Sequence, residues 1–134
     1  NLGVDVALVA QEWKVFLKSA ATQNLPIFRQ GWGADYPDSN NFLDMFTCNS
    51  GNNYPKMCNA KYEQLLQDAL KTQDSAERAK LYAQAETILL NEEAAIVPIF
   101  QENSVFLVSP KLKGFTPNKM GEYRLADVRY GDKE

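Results

Sequence analysis

The clearest fold signal is the stretch Val4-Asp5-Val6-Ala7-Leu8-Val9, whose β-branched residues recur with the two-residue period of a β-strand. The pattern then changes to the spacing of one helix face, with apolar residues at Trp13, Phe16, Leu17 and Ala20. Asn24 and Pro26 mark the end of that helix, and residues 25–32 predict a second strand. A strand, a helix and a strand within about 30 residues predict a right-handed crossover between parallel strands. We therefore expect an α/β fold.

Downstream of this unit, the sequence alternates between loops and short amphipathic segments. Gly31-Trp32-Gly33-Ala34-Asp35-Tyr36-Pro37-Asp38 is rich in turn-forming residues and predicts a loop. Asp38 is placed to cap a short helix. That helix is expected to bury three apolar residues, Phe42, Leu43 and Phe46. Residues 47–59 are polar and predict a surface loop.

Two further helices are predicted to begin at capping residues. Asn59 precedes an apolar stripe at Tyr62, Leu65, Leu66 and Ala69. Asp74 begins a capping box with Glu77, and the stripe that follows it is Leu81, Tyr82, Ala85, Ile88 and Leu89. Residues 94–108 predict extended structure with a break near 101–103. Residues 109–134 predict an irregular tail that needs a surface on which to lie.

The composition excludes several classes of function. None of the 134 residues is a histidine, which excludes Ser-His-Asp catalysis, Cys-His catalysis and histidine-ligated metal sites. Lys+Arg 14 against Asp+Glu 17 gives a net charge of −3, so the chain lacks the surplus of positive charge that is typical of nucleic-acid-binding proteins. No apolar run approaches the ~20 residues of a membrane-spanning helix. No nucleophile elbow, phosphate loop or carboxylate pair is present, so we predict no catalytic residue, metal, cofactor or enzymatic activity.

Two cysteines, Cys48 and Cys58, flank the polar loop. A disulfide between them would stabilise the fold by about 3 kcal/mol through loop closure and would indicate an oxidising compartment. The alternative is two free thiols. We predict the disulfide, because a loop that contains glycine, asparagine and proline can bring its ends together. Metal binding by two cysteines without histidine is not expected.

Asp35 is a candidate ligand-binding residue on weaker grounds. It follows a predicted strand and a Gly-Trp-Gly segment, whose glycines permit the close approach of another backbone. A carboxylate there could pair with a ligand ammonium, while the strand edge could bind an extended peptide. On composition alone, a turn or cap residue is the better interpretation of Asp35.

Several short segments are more informative when their order and spacing along the chain are considered together. Gln11-Glu12-Trp13-Lys14-Val15-Phe16-Leu17 is followed by the 31–38 segment and by Asn41-Phe42-Leu43. Further matching segments are residues 62–66, 77–86, 95–99 and 113–115. In this order and spacing the chain resembles the C-terminal part of the oligopeptide- and dipeptide-binding proteins of bacterial ABC importers, solute-binding protein family 5. The resemblance covers essentially the whole chain, and no single motif carries it.

The resemblance implies a partial C-terminal lobe of a bilobed periplasmic-binding-protein fold of type II. Residues 1–105 would form the second half of the C-terminal ligand-binding lobe, and residues 106–134 the segment that returns to the N-terminal lobe. Ligand binding is implied for Gly31, Trp32, Gly33, Ala34 and Asp35. In that arrangement the strand pairs with the peptide backbone, and Asp35 binds the peptide's α-ammonium. The dipeptide-binding branch also has a disulfide in the loop that here contains Cys48 and Cys58.

The function implied by the resemblance is peptide capture in the periplasm, or on the cell surface as a lipoprotein, with delivery to an ABC permease. The expected partners are a peptide, that membrane permease and a missing N-terminal part of the same receptor. The start at Asn1 would then be a processed end or a cut inside a longer chain. Two alternatives stay open. One keeps the family but changes the cargo to a nickel chelate, haem, an opine or an oligosaccharide, and the other is a self-contained interaction module without a transport role.

Overall fold

The structure, a computed structural model, describes residues 3–22 and 25–131. These residues form two compact units that divide between Trp32 and Gly33. The helices are α1 (Trp13–Thr22), α2 (Asn40–Leu43), α3 (Ala60–Lys71) and α4 (Ser75–Thr87). A π-helical turn (Ile88–Glu92) continues α4, and 3-10 turns lie at Asp44–Phe46 and Leu125–Asp127. Two short strands, β1 (Leu112–Lys113) and β2 (Arg129–Tyr130), pair antiparallel.

The first unit is built around α1. The Glu12 carboxylate accepts the backbone N–H groups of Lys14 (2.9 Å) and Val15 (3.2 Å), which satisfies two of the free donors at the start of the helix. Ala20 is buried, but Trp13 is 59% exposed, so the predicted apolar stripe is only partly covered. The Phe16 ring lies near two others in this unit, those of Trp13 and Phe28. α1 ends at Thr22, and the predicted stop signal at Asn24 lies outside the described residues.

The two strands predicted on either side of α1 are wrong for this chain. Residues 4–9 and 25–32 form neither helix nor strand, so the predicted parallel crossover does not form. A strand requires backbone hydrogen bonds to a neighbouring strand, and no described segment supplies them to either stretch. The alternating residues also have nothing to pack against, since Leu8 is 94% exposed. The period-two pattern is present, but its partner is not among the described residues.

The second unit has its core between helices. α3 packs against α4, and α2 contacts α4 as well. The caps are those predicted: Asn59 Oδ1 accepts the Tyr62 N–H (3.1 Å), and Asp74 Oδ1 accepts the Glu77 N–H (2.7 Å). The predicted stripes are buried at Tyr62, Leu66, Ala69, Tyr82, Ala85, Ile88 and Leu89. Leu65 and Leu81 are half-buried.

The chain leaves this core at Ala94, which has a left-handed backbone with a φ of 47°. Residues 94–108, predicted to be extended, contain neither helix nor strand and therefore have no ladder of strand hydrogen bonds. Most of their apolar side chains are exposed, and Leu107 is 100% exposed. The physical reason is the one that applies to residues 4–9: no described strand pairs with this segment.

The tail is more ordered than the sequence predicts. In the small sheet, Leu112 pairs with Tyr130 and Lys113 pairs with Arg129. Gly114 has a φ of 77°, and a Cβ at this position would overlap the carbonyl oxygen of Asp127. Only glycine fits there without strain. Three aromatic rings, those of Phe106, Phe115 and Tyr123, contact one another.

Candidate functional site

The 31–38 segment crosses the division between the two units, so its two parts are described separately. In the first unit Gly31 is exposed and Trp32 is half-buried; in the second, Gly33 is exposed and Ala34 is half-buried. A Cβ on Gly31 or Gly33 would meet no atom within 4 Å. The backbone groups of these two glycines also make no hydrogen bond with the rest of the described chain. Each glycine therefore leaves main-chain donors and acceptors open to an incoming backbone.

Asp35 combines a fixed backbone with an open side chain. Its backbone N–H donates to Oδ1 of Asn41 at 2.8 Å, and Asn41 is buried in α2. The residue itself is exposed, and its carboxylate has no hydrogen bond or ion pair within residues 3–22 and 25–131. A carboxylate in this state can form a charge-assisted hydrogen bond with an ammonium group.

Asp38 is held on both of its carboxylate oxygens. Oδ1 accepts the backbone N–H of Asn40, the first residue of α2, at 2.9 Å, although Ser39 and not the predicted Asp38 occupies the N-cap position. Oδ2 forms an ion pair with Nη2 of Arg78 at 2.8 Å. Partial burial raises the pKa of the Asp38 carboxyl, but the bond from Asn40 and the Arg78 guanidinium lower it by more, so the net pKa lies below its ordinary value. Asp38 is thus an ionised part of the fold, whereas Asp35 is open.

Arg78, the ion-pair partner of Asp38, lies on α4, and its side chain contacts Tyr82 on the same helix. Its Nη2 donates to the Tyr82 hydroxyl at 2.9 Å, and its guanidinium carbon lies 5.2 Å from the centre of the Tyr82 ring. Tyr82 is buried in the helical core. The tyrosine therefore restricts the guanidinium on one side while Asp38 restricts it on the other.

The short helix after the loop buries two of the three predicted residues. Leu43 and Phe46 are buried, but Phe42 is 46% exposed, so its predicted burial is wrong. Phe42 lies about 100° round the helix from Leu43, and the core covers only one side of this single turn. The Tyr62 hydroxyl donates to the Leu43 carbonyl at 2.6 Å, which joins α2 to α3.

The predicted disulfide between Cys48 and Cys58 is confirmed, and it excludes the alternative of two free thiols. Its loop is also bonded internally. The Asn53 amide donates to the carbonyls of Thr47 (3.0 Å) and Met57 (2.6 Å) and accepts the Met57 N–H (3.1 Å). The Cys48 N–H donates to Glu63 of α3 at 2.7 Å. These bonds hold the loop against the helical core.

Sequence reasoning missed the residues that support the loop, namely Asn41, Arg78 and Tyr82. Arg78 and Tyr82 stand four positions apart, the spacing of neighbours on one helix face, but no local pattern connects them with Asp38. No local pattern indicated Asn41 either, because the sequence does not distinguish a buried asparagine on a single helical turn from an exposed one.

Residues 3–22 and 25–131 contain no group of three or more His, Cys, Asp or Glu side chains that could hold a metal ion. No helix in the same residues has the length and apolar character needed to cross a membrane.

Known proteins resemble this chain in sequence and in structure, although no protein-family model matches it. The periplasmic oligopeptide-binding protein OppA of Salmonella typhimurium is 38% identical over 116 residues, which are 87% of this chain and 21% of that protein. The periplasmic murein peptide-binding protein MppA of Escherichia coli is 37% identical over 130 residues, 97% of this chain and 24% of that protein. The substrate-binding domain of an oligopeptide ABC transporter from Bacillus anthracis aligns with a TM-score of 0.78 at 29% identity, covering 98% of this chain and 26% of that structure.

This chain therefore spans about a fifth to a quarter of the length of the proteins it matches. Its helices and small sheet correspond to one part of the α/β fold of type II periplasmic binding proteins. Sequence and structure together make the chain a homologue, over most of its length, of one part of the bacterial peptide-binding proteins of ABC importers.

Proposed function

We propose that this chain is part of an extracytoplasmic receptor that captures peptides and delivers them to the membrane permease of an ABC importer. One observation carries the proposal: the exposed Asp35 carboxylate, unpaired within the described residues, on a backbone held by Asn41 and beside an open glycine, Gly33. Relatives whose names state oligopeptide or murein peptide binding support the class of ligand.

The proposed site divides recognition between main chain and side chain. Gly31, Trp32 and Gly33 would pair with the peptide backbone, and Ala34 would lie in the same stretch. Main-chain hydrogen bonds do not depend on the peptide's side chains, whereas the Asp35 carboxylate would recognise the α-ammonium at the N-terminus of the peptide. A receptor of this kind binds many sequences but requires a free amino end.

The proposal includes a place for the chain in a larger protein. Residues 1–105 would belong to the C-terminal ligand-binding lobe, and residues 106–134 would return to the N-terminal lobe. The remainder of the receptor would supply the other side of the cleft. The Cys48–Cys58 disulfide and the periplasmic relatives support a location in the periplasm or on the cell surface as a lipoprotein. The activity proposed is binding and release without catalysis, because the relatives are named as binding proteins.

The experiment compares Asp35→Asn with the unsubstituted receptor, both as the intact protein that carries this chain. Calorimetry measures the affinities of dialanine, trialanine and tetraalanine, each with a free and an acetylated amino end. We expect the substitution to weaken binding of the free-amine peptides by about 1.5–3 kcal/mol, the scale of a hydrogen bond to a charged group. Acetylated peptides should bind equally to both proteins, because they have no α-ammonium for Asp35 to bind.

A matched control is Glu77→Gln, which removes an exposed carboxylate that contacts only Lys80 among described side chains. It should leave every affinity unchanged. Equal affinities for free-amine peptides with and without the Asp35 carboxylate would remove Asp35 from the site. Failure of all the peptides to bind, together with a co-purified non-peptide ligand identified by mass spectrometry, would replace peptide as the cargo.

A further inference from the structure

The loop that carries Asp35 is tied to α4 through the Asp38 carboxylate, which forms an ion pair with Arg78 and also accepts a longer hydrogen bond from the Tyr82 hydroxyl at 3.4 Å. Nη2 of Arg78 lies 2.8 Å from Asp38 Oδ2 and 2.9 Å from the Tyr82 hydroxyl oxygen. Tyr82 is buried, and the Arg78 guanidinium lies over its ring. Because Asp38 stands three residues after Asp35, this contact joins α4 to the candidate binding loop.

The contact reaches Asp35 through α2. Asp38 Oδ1 accepts the N–H of Asn40, the first residue of α2. The next residue, Asn41, accepts the Asp35 N–H. The backbone position of Asp35 thus depends on α2, and the start of α2 depends on the carboxylate that Arg78 holds. A second set of bonds runs beside the first, since the Asn40 amide donates to the Tyr36 hydroxyl at 3.2 Å.

We infer that Arg78 is a positioning residue for recognition of the peptide's α-ammonium, acting on Asp35 through Asp38 and α2. The inference rests on the proposed function, because it assigns Arg78 a role only if Asp35 binds the ligand. The ion pair is partly open to solvent, with the Arg78 and Asp38 side chains 32% and 26% exposed, and such pairs contribute little to global stability. Loss of Arg78 should therefore change the placement of the loop more than it changes folding.

The test uses the intact protein and the affinities of trialanine and N-acetyl-trialanine. Their ratio measures the preference for a free amino end, which a general loss of stability does not alter. We expect Arg78→Met to weaken trialanine binding by about tenfold, which corresponds to one hydrogen bond, and to lower the ratio by the same factor. Arg78→Lys should show a smaller loss than Arg78→Met, because lysine keeps a positive charge that can pair with Asp38. Some loss should remain, because an ammonium cannot contact Asp38 and Tyr82 with the same planar geometry.

Further variants test the route from Arg78 to Asp35. Asp38→Asn retains an acceptor for the Asn40 N–H but removes the charge that Arg78 contacts. The double variant Asp38→Asn/Arg78→Met should lose no more than the weaker-binding single variant, because both changes break one connection. Lys80→Met is the control, since Lys80 lies on the same helix and contacts only exposed Glu77 among described side chains. It should keep the ratio unchanged.

The outcomes separate this inference from the proposed function. An unchanged ratio in both Arg78→Met and Arg78→Lys, with a lowered ratio in Asp35→Asn, overturns the role of Arg78 and leaves the proposed function standing. An unchanged ratio in Asp35→Asn overturns both. If Arg78→Met does not fold, Arg78→Lys decides the question, with circular dichroism used to establish that it is folded.

Discussion

Residues 40–92 and residues 94–131 contain the same kinds of apolar side chain but bury them very differently. The first region contains every buried apolar residue of the second unit, including Leu66 and Ile88. No residue of 94–131 is buried, and Leu107 is fully open. The difference follows from where the backbone hydrogen bonds are made. Helices bond within themselves, whereas a strand needs a neighbour, which residues 94–108 do not find among the described residues.

The largest expected effect comes from shortening one leucine side chain in each region. Leu66→Ala should lower the free energy of unfolding by about 2–5 kcal/mol, because it leaves a cavity between α3 and α4. Leu107→Ala should change it by no more than about 0.5 kcal/mol in the isolated chain. Urea denaturation of both variants provides the measurement. Equal losses would mean that residues 94–108 are packed in solution.

The disulfide should matter to the first region alone. Replacing both Cys48 and Cys58 by serine should lower stability by about 3 kcal/mol, because the unfolded chain regains the freedom of an open loop. Thermal unfolding of the double variant, compared with the oxidised parent chain, measures this loss. Amide hydrogen exchange in residues 112–130 serves as the control and should not change. Faster exchange there would show that the two regions unfold together.

A third change acts on the ordered part of the tail. Gly114→Ala places a Cβ against the Asp127 carbonyl and forces alanine into a left-handed backbone. Strain of this kind costs on the order of 1–3 kcal/mol, and we expect it to open the β1–β2 pair. Exchange of the Gly131 N–H, which donates to the Lys111 carbonyl at 2.7 Å, reports this opening. Gly51→Ala is the matched control, because a Cβ there meets no atom within 4 Å. Unchanged exchange in Gly114→Ala would contradict the tight approach.

The smallest expected effect is a dependence on pH at Asp38. Its pKa in the folded chain lies below the ordinary 3.8, so its contribution to stability is present above pH 3.8 and is lost as the pH falls through the lower folded value. Because the site is partly exposed, the contribution should not exceed about 1 kcal/mol. Melting temperatures of the parent chain and Asp38→Asn should therefore differ near pH 6 and converge progressively as the pH falls below 3.8. A gap that widens on acidification would contradict the assignment of the carboxylate as the stabilising form.

The same contrast explains what the sequence could predict. The stripes of α3 and α4 and the caps at Asn59 and Asp74 depend on residues a few positions apart, so local pattern was sufficient. The Cys48–Cys58 bond also closes a short loop. The predictions of strands at residues 4–9 and 25–32 were wrong, because strand pairing depends on another segment, which a period-two pattern does not identify.

The candidate site shows the same limit at a smaller scale. Asp35 could be proposed from its position after Gly33, but its support by Asn41 follows only from the path of the chain into α2. The contact between Asp38 and Arg78 joins residues far apart in sequence, and nothing near either residue indicates it. Ligand binding by Gly31, Trp32, Gly33, Ala34 and Asp35 stays a prediction.

The packing of α3 against α4 also bears on the order in which the chain acquires its structure. These helices adjoin in sequence, and contacts between adjoining elements form rapidly because little chain must be closed between them. Each helix begins at its own cap and needs no partner strand to satisfy its backbone. We therefore expect the α3–α4 pair to be the folding nucleus of the second unit. Substitutions there, such as Leu66→Ala, should slow refolding, while Gly114→Ala should mainly speed local opening of the tail.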